Sequence, residues 1–275
     1  MTDLKNATIS ILKKHNLFAK KQLGQNFLVS QKALNQIIQA ADLKPTDNVI
    51  EIGSGLGTVT KALAANCKHV TAIELDKEMI HVLEDELSEL KNVDLINKNA
   101  LKYDLPQTEY KIVANIPYYI TSPLINHFLK EALIEGKTAP ESITLLMQKE
   151  VAEKICAKAG KLNVLALNVQ IFGDPQIMAN VKPSAFHPSP KVDSCILKIT
   201  SFKKPIIKSD PIKFLKITNA AFRHKRKTLN NSLKSLNKNI LELLKQANID
   251  QLTRPQHLSI PEWDKLVEVL TLNPL

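Results

Sequence analysis

The stretch Asn115-Ile116-Pro117-Tyr118 ends an apolar run that starts at Lys111 and continues Ile-Val-Ala, the character of a buried parallel strand. A polar side chain, a proline and an aromatic at a strand's C-terminal end stand where α/β sheets hold their ligands. The chemistry they suit is a grip on a flat base that carries an exocyclic amine. Asn115 offers a carbonyl oxygen that accepts from N–H. Pro117 fixes the turn and leaves neighbouring backbone carbonyls open to accept, and Tyr118 offers a face for stacking. Taken alone, the four residues also fit a strand that runs into a proline turn. The surrounding elements must decide between the two.

A second stretch points to a ligand. Asp47-Asn48-Val49-Ile50-Glu51-Ile52 reads as a buried strand that ends at Gly53-Ser54-Gly55-Leu56-Gly57, with a helix from about Thr58. Three of the chain's seven glycines fall in those five residues, which requires a backbone that turns tightly and lets something approach closely. A second strand, from His69 to Leu75, carries Glu74, 21 residues beyond Gly53. That is the spacing at which the acidic residue of a nucleoside-binding βαβ unit meets a ribose. A dinucleotide would usually take G-x-G-x-x-G, and this chain has G-x-G-x-G. The form from Glu51 to Gly57 is more typical of S-adenosylmethionine sites, where a loop without positive charge faces a sulfonium and an ammonium.

The elements that position these residues alternate. Strands are expected at Val93–Asn97, Ile112–Asn115 and Ile143–Met147, with helices at about Lys77–Leu90, Ser122–Leu133 and Lys149–Lys158. Alternation of this kind implies an α/β fold with a mostly parallel sheet. Segments 176–181 and 192–199 read as strands that close the sheet as a hairpin, and the proline-stiffened loop between them holds Phe186. Asp210-Pro211 is a cap and first-turn pair, after which the pattern is helical to the end. The expected organisation is a basic arm over 1–25, a ligand-binding domain over 26–202 and a small helical domain over 203–275.

Composition narrows the function classes. No apolar run approaches the roughly 18 residues of a membrane span, and three scattered cysteines without a C-x-x-C pair indicate neither a disulfide framework nor a metal site. A cytoplasmic protein is expected. The net charge is +10 and unevenly spread. Residues 201–275 hold 14 Lys+Arg against 6 Asp+Glu, residues 1–32 hold 6 against 1, and the centre holds 17 against 20. Basic ends around a near-neutral body suggest contacts with a polyanion. The densest cluster is Arg223-His224-Lys225-Arg226-Lys227.

Six motifs in order, Gln25-Asn26-Phe27-Leu28, Glu51 to Gly57, Ile73 to Asp76, Asn115 to Tyr118, Phe186 to Ser194 and Arg226-Lys227-Thr228-Leu229, resemble the rRNA adenine N6-dimethyltransferases. The likeness covers residues 20–270 and is closest to the bacterial enzymes of the small subunit. It implies a class I methyltransferase, Rossmann-like with one antiparallel strand. Its cofactor would be S-adenosyl-L-methionine, with S-adenosyl-L-homocysteine as product. Its substrate would be two adjacent adenosines of the 3′-terminal hairpin of 16S rRNA, in an immature small ribosomal subunit, and it would act as a monomer. The resemblance places Asn26 and Leu28 beside the cofactor, Gly53 beneath it with Glu51 and Gly55 in the same loop, Glu74 on the ribose hydroxyls and Asn115 also at the cofactor. The family usually has Asp where this chain has Asn99, as acceptor for the cofactor's adenine amine. A neutral acceptor is weaker by roughly 1 kcal/mol. Asn115, Pro117, Tyr118 and Phe186 would form the catalytic set, with Tyr118 and Phe186 clamping a flipped base. Arg223, Lys225, Arg226 and Lys227, with lysines of the arm, would contact RNA phosphates. Rival readings are the related methyltransferase of 23S rRNA and a non-catalytic RNA-binding assembly factor of the same fold.

Overall fold

The computed structural model describes residues 4–20, 24–116, 120–224 and 226–272; Pro117, Tyr118 and Lys225 lie outside the described residues. Helix α1 (Leu4–Lys14) and a two-residue strand β1 (Phe27–Leu28) come first. Ser30 caps α2 (Gln31–Ala41), its hydroxyl accepting from the Ala33 N–H, as the sequence predicts. Then follow β2 (Asn48–Ile52), α3 (Thr58–Ala64), β3 (His69–Glu74), α4 (Lys77–Glu86), β4 (Val93–Asn97) and β5 (Lys111–Asn115). The helix expected over 122–133 is α5 (Thr121–Ile125) and α6 (Ala132–Ile134), joined through a π-helical segment, Asn126–Glu131. After β6 (Ser142–Gln148) come α7 (Lys149–Ile155), α8 (Val164–Gln170), β7 (Gly173–Val181), β8 (Phe186–His187) and β9 (Ser194–Ser201). Four helices end the chain: α9 (Pro211–Phe222), α10 (Leu229–Leu233), α11 (Ile240–Gln246) and α12 (Ile260–Leu272). Among the described residues, no helix is long and apolar enough to cross a membrane.

Seven strands form one sheet in the order β4-β3-β2-β5-β6-β9-β7. Pairing is parallel from β4 through β6, and β9 runs antiparallel to β6, the mostly parallel α/β sheet that the alternation implies. Central strands buried on both faces explain the continuous apolar runs: Val49, Ile50, Ile52, Ile112, Val113 and Ala114 are all buried. The chain winds outward from β2 in one direction to β4, then restarts on β2's other side with β5. The crevice where the winding reverses lies at the C-terminal ends of β2 and β5. Register sets Ile52 level with Ile73 and Ala114, so the glycine loop, Glu74 and Asn115 all leave the same edge.

Two compact units emerge. One holds the residues up to Ala152 together with Pro175–Ser201, and the other holds Glu153–Asp174 with the residues from Phe202 onward. In the second unit Trp263, Phe214, Leu229, Leu233 and Leu244 are fully buried. Asp210 caps α9 by accepting from the Lys213 N–H, with Pro211 at the first turn. Buried Asp264 accepts from the backbone N–H groups of Lys208 and Ser209 and from the Ser209 hydroxyl, which pins the segment entering α9 to α12.

Charge divides sharply between the units. The helical unit carries 17 Lys+Arg against 8 Asp+Glu, and the sheet unit 20 against 19. Two lysines of the basic N-terminal arm are paired inside their own unit. Lys14 pairs with Asp85 and Glu86 of α4, and Lys20 pairs with Asp76 and Glu78. These two lysines, expected on the RNA, are engaged by the protein's own carboxylates.

Candidate active site

A cleft opens along the C-terminal edge of β2, β3 and β5, with about 1180 Å³ of space that includes its open mouth. Its lining collects Asn26, Leu28, Gly53, Gly55, Glu74, Asn99, Asn115 and Phe186. Residues from six separate stretches of sequence therefore meet in one place.

The glycine loop forms its floor. Gly53 has φ +78°, and its N–H donates to the Ile73 carbonyl at 2.9 Å. A Cβ there would stand 3.3 Å from the backbone oxygen of Asn115 and 3.3 Å from Ile116 Cγ2. A side chain at position 53 would push the loop and the end of β5 apart by a few tenths of an ångström.

Glu74 anchors the loop from the other side. One carboxylate oxygen accepts from the Gly55 N–H at 2.9 Å, and the other from the N–H groups of Leu75 (2.8 Å) and Asp76 (2.9 Å). A carboxylate has about four acceptor positions, so one remains for a hydroxyl in the cleft. Burial raises Glu74 above the usual carboxylate range, and the three backbone donors pull it back. Beside it Leu75 is 54% exposed and lines the cleft, an apolar surface for a flat ring that the sequence reading passed over.

Glu51 is not among the lining residues. It sits buried on β2 beneath the loop and accepts from the Thr60 hydroxyl of α3. Burial pushes its carboxyl from the ordinary 4.5 up to about 7. The folded protein therefore holds a proton that the unfolded chain has released, and stability falls as pH rises across that window. Glu51→Gln should leave thermal stability unchanged near about pH 4 and raise it by at most about 3 kcal/mol near about pH 8. A loss of stability at both pH values would contradict the assignment.

Asn99 caps a 3-10 turn, Ala100–Lys102, its side-chain oxygen accepting from the Leu101 N–H at 3.0 Å. The oxygen's second lone pair and the amide donors are left for the cleft. Asn115 is half-buried at the end of β5, and among the described residues no hydrogen bond engages its carboxamide. Phe186 is buried and enters the cleft through a contact that no local sequence signal announces. β8 pairs antiparallel with β1, Leu28 opposite Phe186, and Val29 N–H donates to the Ala185 carbonyl. Arg223, Arg226 and Lys227 lie apart from this cleft by sequence, exposed in the turn between α9 and α10 of the helical unit.

Comparison with known proteins agrees with this geometry. A family model described as ribosomal RNA adenine dimethylase matches residues 16–272. A ribosomal RNA small subunit methyltransferase A of Dehalococcoides mccartyi (strain CBDB1) is 42% identical over 273 residues, covering 94% of this chain and 91% of its own. A protein of the same description from Clostridium botulinum (strain Loch Maree) is 41% identical, covering 96% and 98%. Among solved structures, a dimethyladenosine transferase from Plasmodium falciparum superposes with a TM-score of 0.79 at 28% identity, over 90% of this chain and 98% of its own. The 23S rRNA methyltransferase ErmE gives 0.71 at 25% identity, over 90% and 100%.

Proposed function

The chain belongs to the ribosomal RNA adenine dimethylase family, and from that premise we propose how its cleft works and on which RNA. The enzyme transfers methyl groups from S-adenosylmethionine to N6 of adenosine, and its substrate is the small-subunit RNA, at two adjacent adenosines of the 3′-terminal hairpin. The curated relatives at about 40% identity are small-subunit methyltransferases, which favours this RNA over that of ErmE.

The observation that carries the reading is the meeting of Asn115 with the glycine loop and Glu74 in one cleft. The cleft's residues fit the cofactor. Glu74 has an acceptor position for ribose hydroxyls, Leu75 and Asn99 suit the faces and amine of its adenine, and the Gly53–Gly57 loop presents backbone without positive charge to the sulfonium end. Bound there, the cofactor supplies an electrophilic methyl group.

What remains is to make a poor nucleophile attack. The N6 lone pair of adenine is delocalised into the ring. Hydrogen bonds from N6–H to the Asn115 side-chain oxygen and to a neighbouring backbone carbonyl, that of Ile116, favour a pyramidal nitrogen whose lone pair faces the methyl. Holding the two atoms in line is the main source of rate. The proton leaves after the bond has formed, so no dedicated base is needed. Phe186 supplies one face of the base clamp, and Tyr118 the other on sequence grounds.

The helical unit, with more than twice as many basic as acidic residues, is the proposed RNA-binding domain. Reversing Arg223, Arg226 and Lys227 together to Glu should weaken RNA binding and make the plot of log affinity against log salt shallower by about three. Cofactor affinity should not change; an unaltered salt slope would defeat the assignment. The reaction itself is tested with labelled cofactor offered to immature small subunits, large subunits and duplex DNA. Label in small-subunit RNA alone supports the reading, and label in either other substrate overturns it.

A further inference from the structure

The turn that follows Glu74 is tied to the N-terminal arm through Asp76. Asp76, 7% exposed, accepts from Lys20 Nζ at 2.9 Å on one oxygen and from Gln25 Nε2 at 3.0 Å on the other. Gln25 is itself fixed, since its side-chain oxygen accepts from the Lys20 N–H at 2.9 Å. Asp76 passes this hold on in two directions. It caps α4 by accepting from the Glu78 N–H, and its own N–H donates to Glu74 at 2.9 Å. Below the arm, Ile11, Leu12, Leu17 and Ala19 pack with Phe27, Leu56, Met79 and Val82, so the lysine is delivered by a packed segment.

We propose that Lys20 and Gln25 are positioning residues for the cofactor: they neutralise and orient Asp76, and so keep the neighbouring Glu74 carboxylate aimed and available as an acceptor for the ribose. The proposal rests on the reading of Glu74 as the ribose acceptor. Its physical core is the placement of two buried carboxylates two residues apart. Burial is the main influence against charge on Glu74, and the negative charge of Asp76 adds to it; a cation on Asp76 relieves that repulsion. The charged groups around Glu74 are otherwise unhelpful. Glu51 on β2 and Glu78 on α4 are acidic, and Lys98, after β4, is drawn to Asp104 at 3.3 Å. Lys98 lines the cleft, but Lys20, which also pairs with Glu78 at 3.0 Å, is the cation within ion-pair distance of Asp76 among the described residues.

The consequence has a definite sign. Glu74 accepts well only when ionised, so cofactor affinity is full above its pKa and declines as pH falls through it. Without Lys20 the unrelieved charge of Asp76 moves that decline to higher pH. The test is calorimetric binding of S-adenosylhomocysteine to the full chain across about pH 5 to 9. Lys20→Met should shift the decline upward by about one pH unit, which weakens binding by up to about tenfold on the acidic side of the decline and little on its alkaline side. Lys20→Arg should keep the wild-type profile. Adding Asp76→Asn to Lys20→Met should restore it, since Asn still caps α4 but carries no charge. A Lys20→Met loss that is equal at every pH, or no loss, overturns the proposal and leaves Glu74's role intact. Glu74→Gln provides the separate check: if it binds as tightly as wild type at all pH values, the ribose reading fails, and this inference with it.

Discussion

Asn115→Ala should slow methyl transfer by about 10²- to 10³-fold while changing cofactor affinity far less, because under the proposed mechanism it removes the acceptor that orients N6 and not the pocket that holds the methyl donor. The residue stands at the end of β5 beside Leu146 of β6, on a strand whose other residues are buried. Truncating it removes a half-exposed carboxamide and leaves the strand in place. Single-turnover rates with saturating cofactor separate the two effects. Asn115→Asp is a sharper variant, since it keeps an acceptor but places a full charge beside the base. A variant that loses cofactor binding and rate in equal proportion would mean that Asn115 serves the pocket alone.

Gly53→Ala should act on the same site from beneath. A side chain at φ +78° costs about 1–2 kcal/mol in backbone strain. In addition its Cβ would press on the Asn115 backbone oxygen, which cannot swing away as a side chain can. The end of β5 must then yield by a few tenths of an ångström, so cofactor affinity should fall by about tenfold and the rate with it. Gly136→Ala is the control. Gly136 also has positive φ, but nothing lies within 4 Å of a Cβ built there, so it should lose a similar amount of stability and no cofactor affinity. Equal binding losses in the two variants would assign the effect of Gly53 to general destabilisation.

These expectations show which parts of the molecule could be read from sequence. The glycine loop, the spacing to Glu74 and the end of β5 were legible because each is a local signal: a cluster of glycines, a fixed distance along a βαβ unit, an apolar run that stops at a polar residue. The caps at Ser30 and Asp210 were legible for the same reason. The β1–β8 pair was not, since two residues per strand carry no periodicity, and only the fold brings Leu28 opposite Phe186. Charge was legible in amount but not in partner. The basic arm reads as a second polyanion contact, yet Lys14 and Lys20 are paired with Asp85 and Asp76, whereas Arg223, Arg226 and Lys227 are exposed. Glu51 and Glu74 look alike in sequence, each an acid near the C-terminal end of a strand. The pleat turns Glu51 inward to Thr60 and leaves Glu74 at the cleft.

The central claim is that Asn115 and its cleft place two methyl groups on N6 of each of two adjacent adenosines in small-subunit RNA. Nuclease digestion of RNA from immature small subunits treated with enzyme and S-adenosylmethionine, followed by mass mapping of the nucleosides, measures this directly. The account predicts N6,N6-dimethyladenosine at two neighbouring positions of the 3′-terminal hairpin, absent when Asn115→Ala replaces the wild type. Methylation that stops at one methyl group, or that falls on another base or outside that hairpin, would contradict it.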